Sequence, residues 1–224
     1  MSEKAPEKLR FAAMAVDVVM FAVIDGKLSV LLGEVNRPPY YTKIEAFIGG
    51  LIEASETAEM ALERHVRSKA ELKKVYTEQL YTFSEIERDP RNRVISISYL
   101  GLVRPDALTE ELGVGLRWCP VGKLPRLAYD HNEMYTVAHN RLKGKISYTN
   151  IAQYLLPREF TLSELQEVYE LILGKEVDKR NFRKKIIALG MVAETGEVQA
   201  GVKNRPAALY RFTSEKLTEL SLVI

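Results

Sequence analysis

Basic and amide side chains are concentrated at residues 178–185, in a pattern that can contact nucleic acid. Asp178 suits the N-cap of a helix, and Phe182, Ile186 and Leu189 would share the face that packs against the protein. Arginine and asparagine can hydrogen-bond the edges of guanine and adenine, and lysines suit phosphates. The predicted DNA contacts of this helix are Lys179, Arg180, Asn181, Arg183, Lys184 and Lys185.

A second basic cluster, Lys203, Asn204 and Arg205, lies near the tip of a β-hairpin predicted from residues 191–194 and 209–212. Residues 175–211 contain nine lysines and arginines but four acidic residues, a local net charge of +5, whereas the whole chain carries +2. This asymmetry favours a DNA-binding surface. A charged helix facing solvent, or a surface that contacts another protein, would be the alternatives.

The elements around these two clusters follow the order of a winged helix. Helices are predicted at residues 149–155, 162–173 and 179–189, with turns at Pro157 and Gly174, and the hairpin follows them. We therefore predict a winged-helix DNA-binding domain at residues 147–224, with a double-stranded DNA operator as its partner.

A different kind of site is indicated near residue 50. Glu56 and Arg64 follow Gly50 at the spacings of the Nudix box, and Val66 and Leu72 occupy its apolar positions, so this segment resembles the Nudix family. The family's glutamate positions hold His65, Ser68 and Lys69, and its last glycine position holds Glu71. The resemblance implies a Nudix-like effector-binding domain, which we place at residues 11–146.

The replaced glutamates change the chemistry that this site can support. In the family they gather Mg²⁺, a hard cation that takes oxygen ligands and polarises a diphosphate. His65 is a poor ligand for that ion, and Lys69 puts a positive charge near its position. We therefore expect no metal centre, no cofactor and no hydrolytic activity. Lys69 either acts as the counter-charge of a bound phosphate or points into solvent.

Two arginines, Arg88 and Arg91, resemble a segment of Nudix proteins that act on ADP-ribose. The planar guanidinium of arginine can bind phosphate through two hydrogen bonds. A solvated loop would have the same composition, so the ligand role depends on their position after the Nudix-like helix. The predicted ligand-binding residues are Gly49, Gly50, Glu56, Arg64, Lys69, Arg88 and Arg91.

The elements that must position these side chains are mostly strands. Strands are predicted at residues 11–24, 28–32, 80–86, 94–103 and 116–119, and helices at residues 55–74 and 129–142. Ser55 is the expected N-cap of the first helix, and turns are expected at residues 25–26 and 47–50. The predicted fold class is α+β, a Nudix-like α/β/α sandwich followed by a C-terminal winged helix-turn-helix domain.

Residues 160–166, 178–185 and 205–212 are similar to the NrtR-like family of Nudix-related transcriptional regulators. Its members pair a Nudix-type effector domain with a winged helix, form homodimers, and repress genes of NAD metabolism or, in some branches, of sugar use. ADP-ribose is the usual effector in the NAD branch. The resemblance therefore implies a repressor that senses an ADP-ribose-like or a sugar effector, and an active Nudix hydrolase is the remaining alternative.

The composition excludes several other classes of protein. Cys119 is the single cysteine, which excludes an internal disulfide and a cysteine-based zinc site. The three histidines, His65, His131 and His139, lack the spacing of metal ligands. No apolar run reaches the roughly 18 residues of a membrane span, and the polar tail at residues 1–10 has no signal-peptide core. A cytoplasmic protein with no membrane partner is therefore expected.

Overall fold

The computed structural model describes residues 11–70, 72, 75–108, 112–200 and 206–221. Strand β1 (Ala13–Ile24) is the central strand of its N-terminal half. Its side chains alternate between two buried faces, as a strand covered on both sides requires. Val16 and Val18 lie on one face, and Val19 and Phe21 lie on the other. The position of Asp17 in this alternation directs its carboxylate to the second face.

The strands beside β1 form a mixed sheet in the order β3-β2-β1-β6-β5, with β4 also paired to β1 and β7 to β2. Only the β1–β6 pair among these is parallel. Asp25 and Gly26, both with positive φ, form the tight turn between β1 and β2, as predicted. The bounds are β2 (Lys27–Arg37), β3 (Tyr41–Ala46), β4 (Ile48–Leu51), β5 (Val75–Phe83), β6 (Val94–Val103) and β7 (Leu116–Pro120).

One helix covers each face of this sheet. Helix α1 (Ala58–His65), continued by a π-helical turn at Val66–Ala70, packs Ala61 and Leu62 against the first face of β1. Helix α2 (His131–Ile146) packs its apolar residues against the second face. The predicted α/β/α sandwich is therefore confirmed.

The C-terminal half has the helices and hairpin of a winged helix. A 3-10 turn at Ile151–Tyr154 leads to α3 (Leu162–Leu173), α4 (Lys179–Ala188), β8 (Val192–Val198) and β9 (Ala208–Phe212). Thr161 and Glu164 form a capping box at the start of α3, and Gly174 ends that helix with a φ of 68°. Asp178 caps α4 as predicted, accepting a hydrogen bond from the Asn181 amide at 2.8 Å. The predicted winged-helix layout is confirmed.

The two halves share one hydrophobic core. Leu142 and Ile146 at the end of α2 belong to the same buried cluster as Leu165 and Val168 of α3. A domain boundary near residue 146 therefore coincides with the end of a helix that is packed on both sides, and it stays a prediction. No helix in the described part of the chain is long and apolar enough to cross a membrane.

Several local predictions were wrong. Residues 47–50 are not a turn, because β4 begins at Ile48 and pairs with β1. Strand β3 was not predicted; within it Lys43 has a φ of 49°, and burial does not alternate regularly along the strand. Ser55 is not the cap of α1; the Thr57 hydroxyl accepts a hydrogen bond from the Met60 amide at 3.2 Å instead. The predicted helix at residues 149–155 is a single 3-10 turn.

Candidate ligand pocket and nucleic-acid interface

A cavity of about 470 Å³ opens between strands β1, β2 and β4 and the segments that precede β6 and α2. This volume lies within the range of small-molecule sites, which is roughly 300–1,000 Å³. Five of the seven predicted ligand-binding residues line it, namely Gly49, Gly50, Lys69, Arg88 and Arg91. The structure thus brings together side chains that are up to about forty positions apart in sequence.

Asp17 provides a buried carboxylate to this cavity. Its Oδ2 accepts a hydrogen bond from the Ser96 hydroxyl at 2.6 Å and lies 3.7 Å from a guanidinium nitrogen of Arg88. Burial raises the pKa of Asp17 to about 6, although the Ser96 hydrogen bond and the Arg88 charge oppose that shift. Asp17 was not among the residues predicted to bind the ligand. The signal was a single carboxylate inside an otherwise apolar strand.

The two predicted phosphate-binding arginines are already paired with carboxylates. The Nε and a terminal nitrogen of Arg88 each donate to Asp130 at 2.8 Å, and the Arg88 side chain is only 3% exposed. Arg91 donates to both oxygens of Asp89, at 2.9 and 2.7 Å, and lies over the Tyr129 ring. Both arginines lie at the cavity, but their guanidinium forks are oriented by the protein itself.

His131 is held in its neutral form. Its Nδ1 accepts a hydrogen bond from the Phe47 amide at 2.9 Å, so a neutral ring carries its proton on Nε2, which lies 3.7 Å from an Asp17 oxygen. Burial lowers the pKa of His131 to about 3. The ring also stacks on Phe47, with centroids 5.5 Å apart. The neutral ring of His131 therefore faces the buried carboxylate of Asp17.

The two glycines are required by close approach of their neighbours. A Cβ on Gly49 would lie 2.0 Å from Oδ1 of Asp17 and 2.3 Å from the Val16 carbonyl oxygen. A Cβ on Gly50 would lie 2.4 Å from the ring of His65, which is itself 3.1 Å from the Leu51 carbonyl through Nε2. Here the glycines allow β4 to pack against β1 and α1.

Glu56 and Arg64, which were predicted to bind the ligand, do not line the cavity. Arg64 donates to both oxygens of Glu56, at 2.5 and 2.7 Å, and to the Leu51 carbonyl at 3.1 Å. The hydrogen bonds from Arg64 and from the Glu53 amide lower the pKa of Glu56 to about 2. This pair connects the loop after β4 to helix α1 and so stabilises the local structure.

The residues at the Nudix metal positions do not fit a magnesium site. The ring of His65 is a nitrogen ligand that contacts the Leu51 carbonyl, and Ser68 offers only a hydroxyl. Lys69 brings a cation, and its Nζ donates to the Gly49 carbonyl at 2.5 Å. Within the described ranges, no group of three or more histidine, cysteine or acidic residues could hold a metal ion.

The candidate DNA surface is the outward side of α4. Phe182 and Ile186 are buried against the domain, as predicted. The exposed polar residues of this helix are Lys179, Arg180, Asn181, Lys184 and Lys185. Arg183 differs, because it is half-buried and donates to the Ser163 hydroxyl at 2.9 Å, which makes it part of the domain's own packing. The predicted wing contacts Lys203, Asn204 and Arg205 lie outside the described residues.

Two family models match the chain, one for each half. The NUDIX domain matches residues 14–139, and the NrtR DNA-binding winged helix domain matches residues 152–212. An ADPR responsive transcriptional repressor, NtrR, of Acinetobacter baylyi is 32% identical over 206 residues, which cover 89% of this chain and 81% of that protein. The chain belongs to the NrtR family of Nudix-related regulators.

Solved structures agree with this membership in the NrtR family. Shewanella oneidensis NrtR complexed with a 27mer DNA is 30% identical, with a TM-score of 0.79 over 89% of this chain and 93% of that one. The NUDIX domain of the same protein complexed with ADP ribose is 27% identical, with a TM-score of 0.52 over 62% of this chain and 94% of that one. An ADP-ribose pyrophosphatase of Methanocaldococcus jannaschii is 31% identical over 127 residues, which cover 54% of this chain and 70% of that protein.

The NrtR-family assignment predicted from the sequence is thus confirmed. Residues that sequence analysis did not propose for the pocket include Asp17, Phe47, Asp89, Tyr129 and His131. The pairing of Asp130 with Arg88 spans 42 positions and had no signal in the spacing of either residue.

Proposed function

We propose that this NrtR-family protein is a transcriptional repressor. Its winged helix binds an operator in double-stranded DNA, and its Nudix domain binds ADP-ribose as the effector. The observation that carries the proposal is similarity across both halves to a repressor described as ADPR responsive, with a small-molecule pocket in one half and an exposed basic helix in the other. ADP-ribose is a breakdown product of NAD, so genes of NAD metabolism are the proposed targets.

The pocket has the chemistry that ADP-ribose requires. Its diphosphate needs positive charge, which Lys69 and Arg37 supply at the cavity. Its ribose hydroxyls need acceptors, and Asp17 and Glu34 offer carboxylate oxygens there. Phe47 and Tyr129, which also line the cavity, offer aromatic surface for the base of ADP-ribose. These features support a nucleoside diphosphate sugar over a neutral sugar, which offers nothing to the cations.

The winged helix supports operator binding. Asp178 caps α4, so the first turn is ordered and presents Arg180 and Asn181, which can contact base edges. Lys184 and Lys185, one turn later, suit phosphates. A homodimer would present two such helices to a two-fold operator, with half-sites about 10 base pairs apart or a multiple of that spacing.

We further propose that the Nudix domain does not hydrolyse its ligand. His65, Ser68 and Lys69 occupy the positions where oxygen ligands for a catalytic metal are needed, and Glu56 is engaged by Arg64. Without a metal-activated water, the domain lacks the nucleophile that family hydrolases use. Turnover of ADP-ribose by the pure protein in Mg²⁺ or Mn²⁺, abolished by EDTA, would contradict this part of the proposal.

The deciding experiment measures DNA affinity and its response to ligand together. Fluorescence anisotropy of a labelled fragment upstream of the protein's own gene, titrated over a salt series, should show specific binding that ADP-ribose changes. AMP and ribose 5-phosphate at equal concentration serve as matched ligands that each lack part of ADP-ribose. If the protein binds operator and random DNA alike, or if no ligand alters binding, the repressor mechanism proposed here is wrong.

A further inference from the structure

Lys69 occupies a position where the Nudix family holds a metal-binding glutamate, and its ammonium lies at the cavity. It is part of the π-helical turn that follows α1, and its Nζ donates to the Gly49 carbonyl at 2.5 Å. That carbonyl is on β4, directly beside the buried carboxylate of Asp17. An ammonium has three donors, and this bond uses one of them. The other two are available to a ligand in the cavity.

The remaining charges of the cavity make this ammonium distinctive. Arg88 and Arg91 are each held by an aspartate, as described above. In the part of the chain that the structure describes, Lys69 and Arg37 are the cavity cations with no carboxylate oxygen within 4 Å. A diphosphate bound in the cavity would therefore meet unpaired positive charge at Lys69 and Arg37.

We propose that Lys69 supplies the positive charge that a divalent cation supplies in Nudix hydrolases, so that this domain binds a diphosphate ligand without Mg²⁺. The inference rests on the proposed function, because the ligand is taken to be ADP-ribose. A covalently attached ammonium neutralises phosphate charge as a cation does, but it cannot coordinate and activate a water molecule. The lysine at the position of the family's glutamate therefore retains diphosphate binding and removes the requirement for a metal ion.

Isothermal titration calorimetry of ADP-ribose into the full chain tests this proposal in two buffers, one with EDTA and one with Mg²⁺. The wild-type protein should give the same dissociation constant in both. Lys69→Met should weaken binding about tenfold or more in both buffers, since it removes a charge-assisted hydrogen bond. Lys27→Met, at the exposed β1–β2 turn, is the matched control and should bind as the wild type does.

The outcomes separate this inference from the proposed function. Binding of wild-type protein that requires Mg²⁺, or unchanged binding by Lys69→Met, overturns the role of Lys69 while ADP-ribose stays the effector. The absence of binding in either buffer overturns the proposed effector and this inference with it. Operator affinity and melting temperature of Lys69→Met, compared with wild type, show whether the variant is folded. The comparison of buffers for the wild type does not depend on any variant.

Discussion

The ring of Tyr76 stacks on the ring of Tyr154, with centroids 4.1 Å apart and planes inclined by 16°. Tyr76 is on β5 of the Nudix sheet, and Tyr154 is in the 3-10 turn that leads into the winged helix. Glu78 accepts a hydrogen bond from the Tyr76 hydroxyl at 2.6 Å and forms an ion pair with Lys145 at the end of α2. Helix α2 thus runs from the pocket, where it begins at His131, to this junction.

We expect Tyr154→Ala to weaken the coupling between the two ligands. The variant should retain its separate affinities for ADP-ribose and operator, because neither site contains Tyr154. The change in operator affinity on adding ADP-ribose should become smaller, since a packed contact between the halves is lost. Anisotropy titrations with and without ADP-ribose measure this difference. Tyr148→Ala is the control, and an equal loss of coupling in both variants would count against the stacked pair.

Asp17→Asn should change how stability depends on pH. With a pKa of about 6 against 3.8 in the unfolded chain, Asp17 keeps its proton in the folded state between pH 4 and 6 while the unfolded chain has lost it. The wild type therefore loses stability as pH rises through this window, by about 3 kcal/mol. The stability of the variant minus that of the wild type should grow by about this amount between pH 4 and 7, as measured by urea unfolding.

Two comparisons make the pH test specific. His131, whose pKa burial lowers to about 3, stays neutral in the folded state of both proteins above pH 4, so its effect cancels in the difference. Asp89→Asn is the matched control: burial raises the pKa of Asp89, but the hydrogen bonds from Arg91 outweigh it and lower the pKa overall. That variant should show no increase of relative stability over the same range. A flat difference for Asp17→Asn would mean that its carboxylate is ionised in the folded state at pH 4.

Gly49→Ala and Gly50→Ala should both destabilise the fold, by about 1–3 kcal/mol, because each adds a methyl group to a filled space. They should differ in whether a second substitution relieves the clash. The methyl group in Gly50→Ala meets the side chain of His65, so His65→Ala in the same protein should recover stability. The methyl group in Gly49→Ala meets the Val16 backbone, and His65→Ala should not help. Thermal melts of the four proteins test this, and rescue of both variants would refute the assignment.

The residues of α4 should differ in what they contribute to DNA binding. Arg180→Ala and Asn181→Ala should each cost about 1–3 kcal/mol on operator DNA and reduce discrimination against random DNA. Lys184→Ala should weaken binding to both DNAs alike and reduce the salt slope by about one unit. Arg183→Ala should chiefly lower the melting temperature, because its guanidinium contacts Ser163. Equal losses for all four variants on both DNAs would contradict this division.

Local sequence determined most of the winged helix. The capping box of Thr161 and Glu164, the N-cap Asp178 and the apolar spacing of Phe182 and Ile186 are interactions within a few residues, and the predicted α3 agrees with the structure at both ends. The Nudix-like helix was predicted less accurately, because Thr57 rather than Ser55 caps α1, although its replaced glutamates could be counted directly. Such features can be predicted because neighbours along the chain are also neighbours in a helix.

Tertiary structure alone decided which charges face the pocket. Glu56 and Arg64 were predicted to bind the ligand, but they hydrogen-bond to each other outside the pocket. Asp17 lines the pocket, where it accepts a hydrogen bond from Ser96, 79 positions away. Arg88 lies at the pocket, but Asp130 holds its guanidinium. These outcomes depend on which strands are adjacent and on the cost of leaving a buried charge without a partner. The spacing of residues along the sequence shows neither which strands are adjacent nor which buried charges find a partner. The residue types could therefore indicate a phosphate-binding site, but they could not show which residues contact the phosphate.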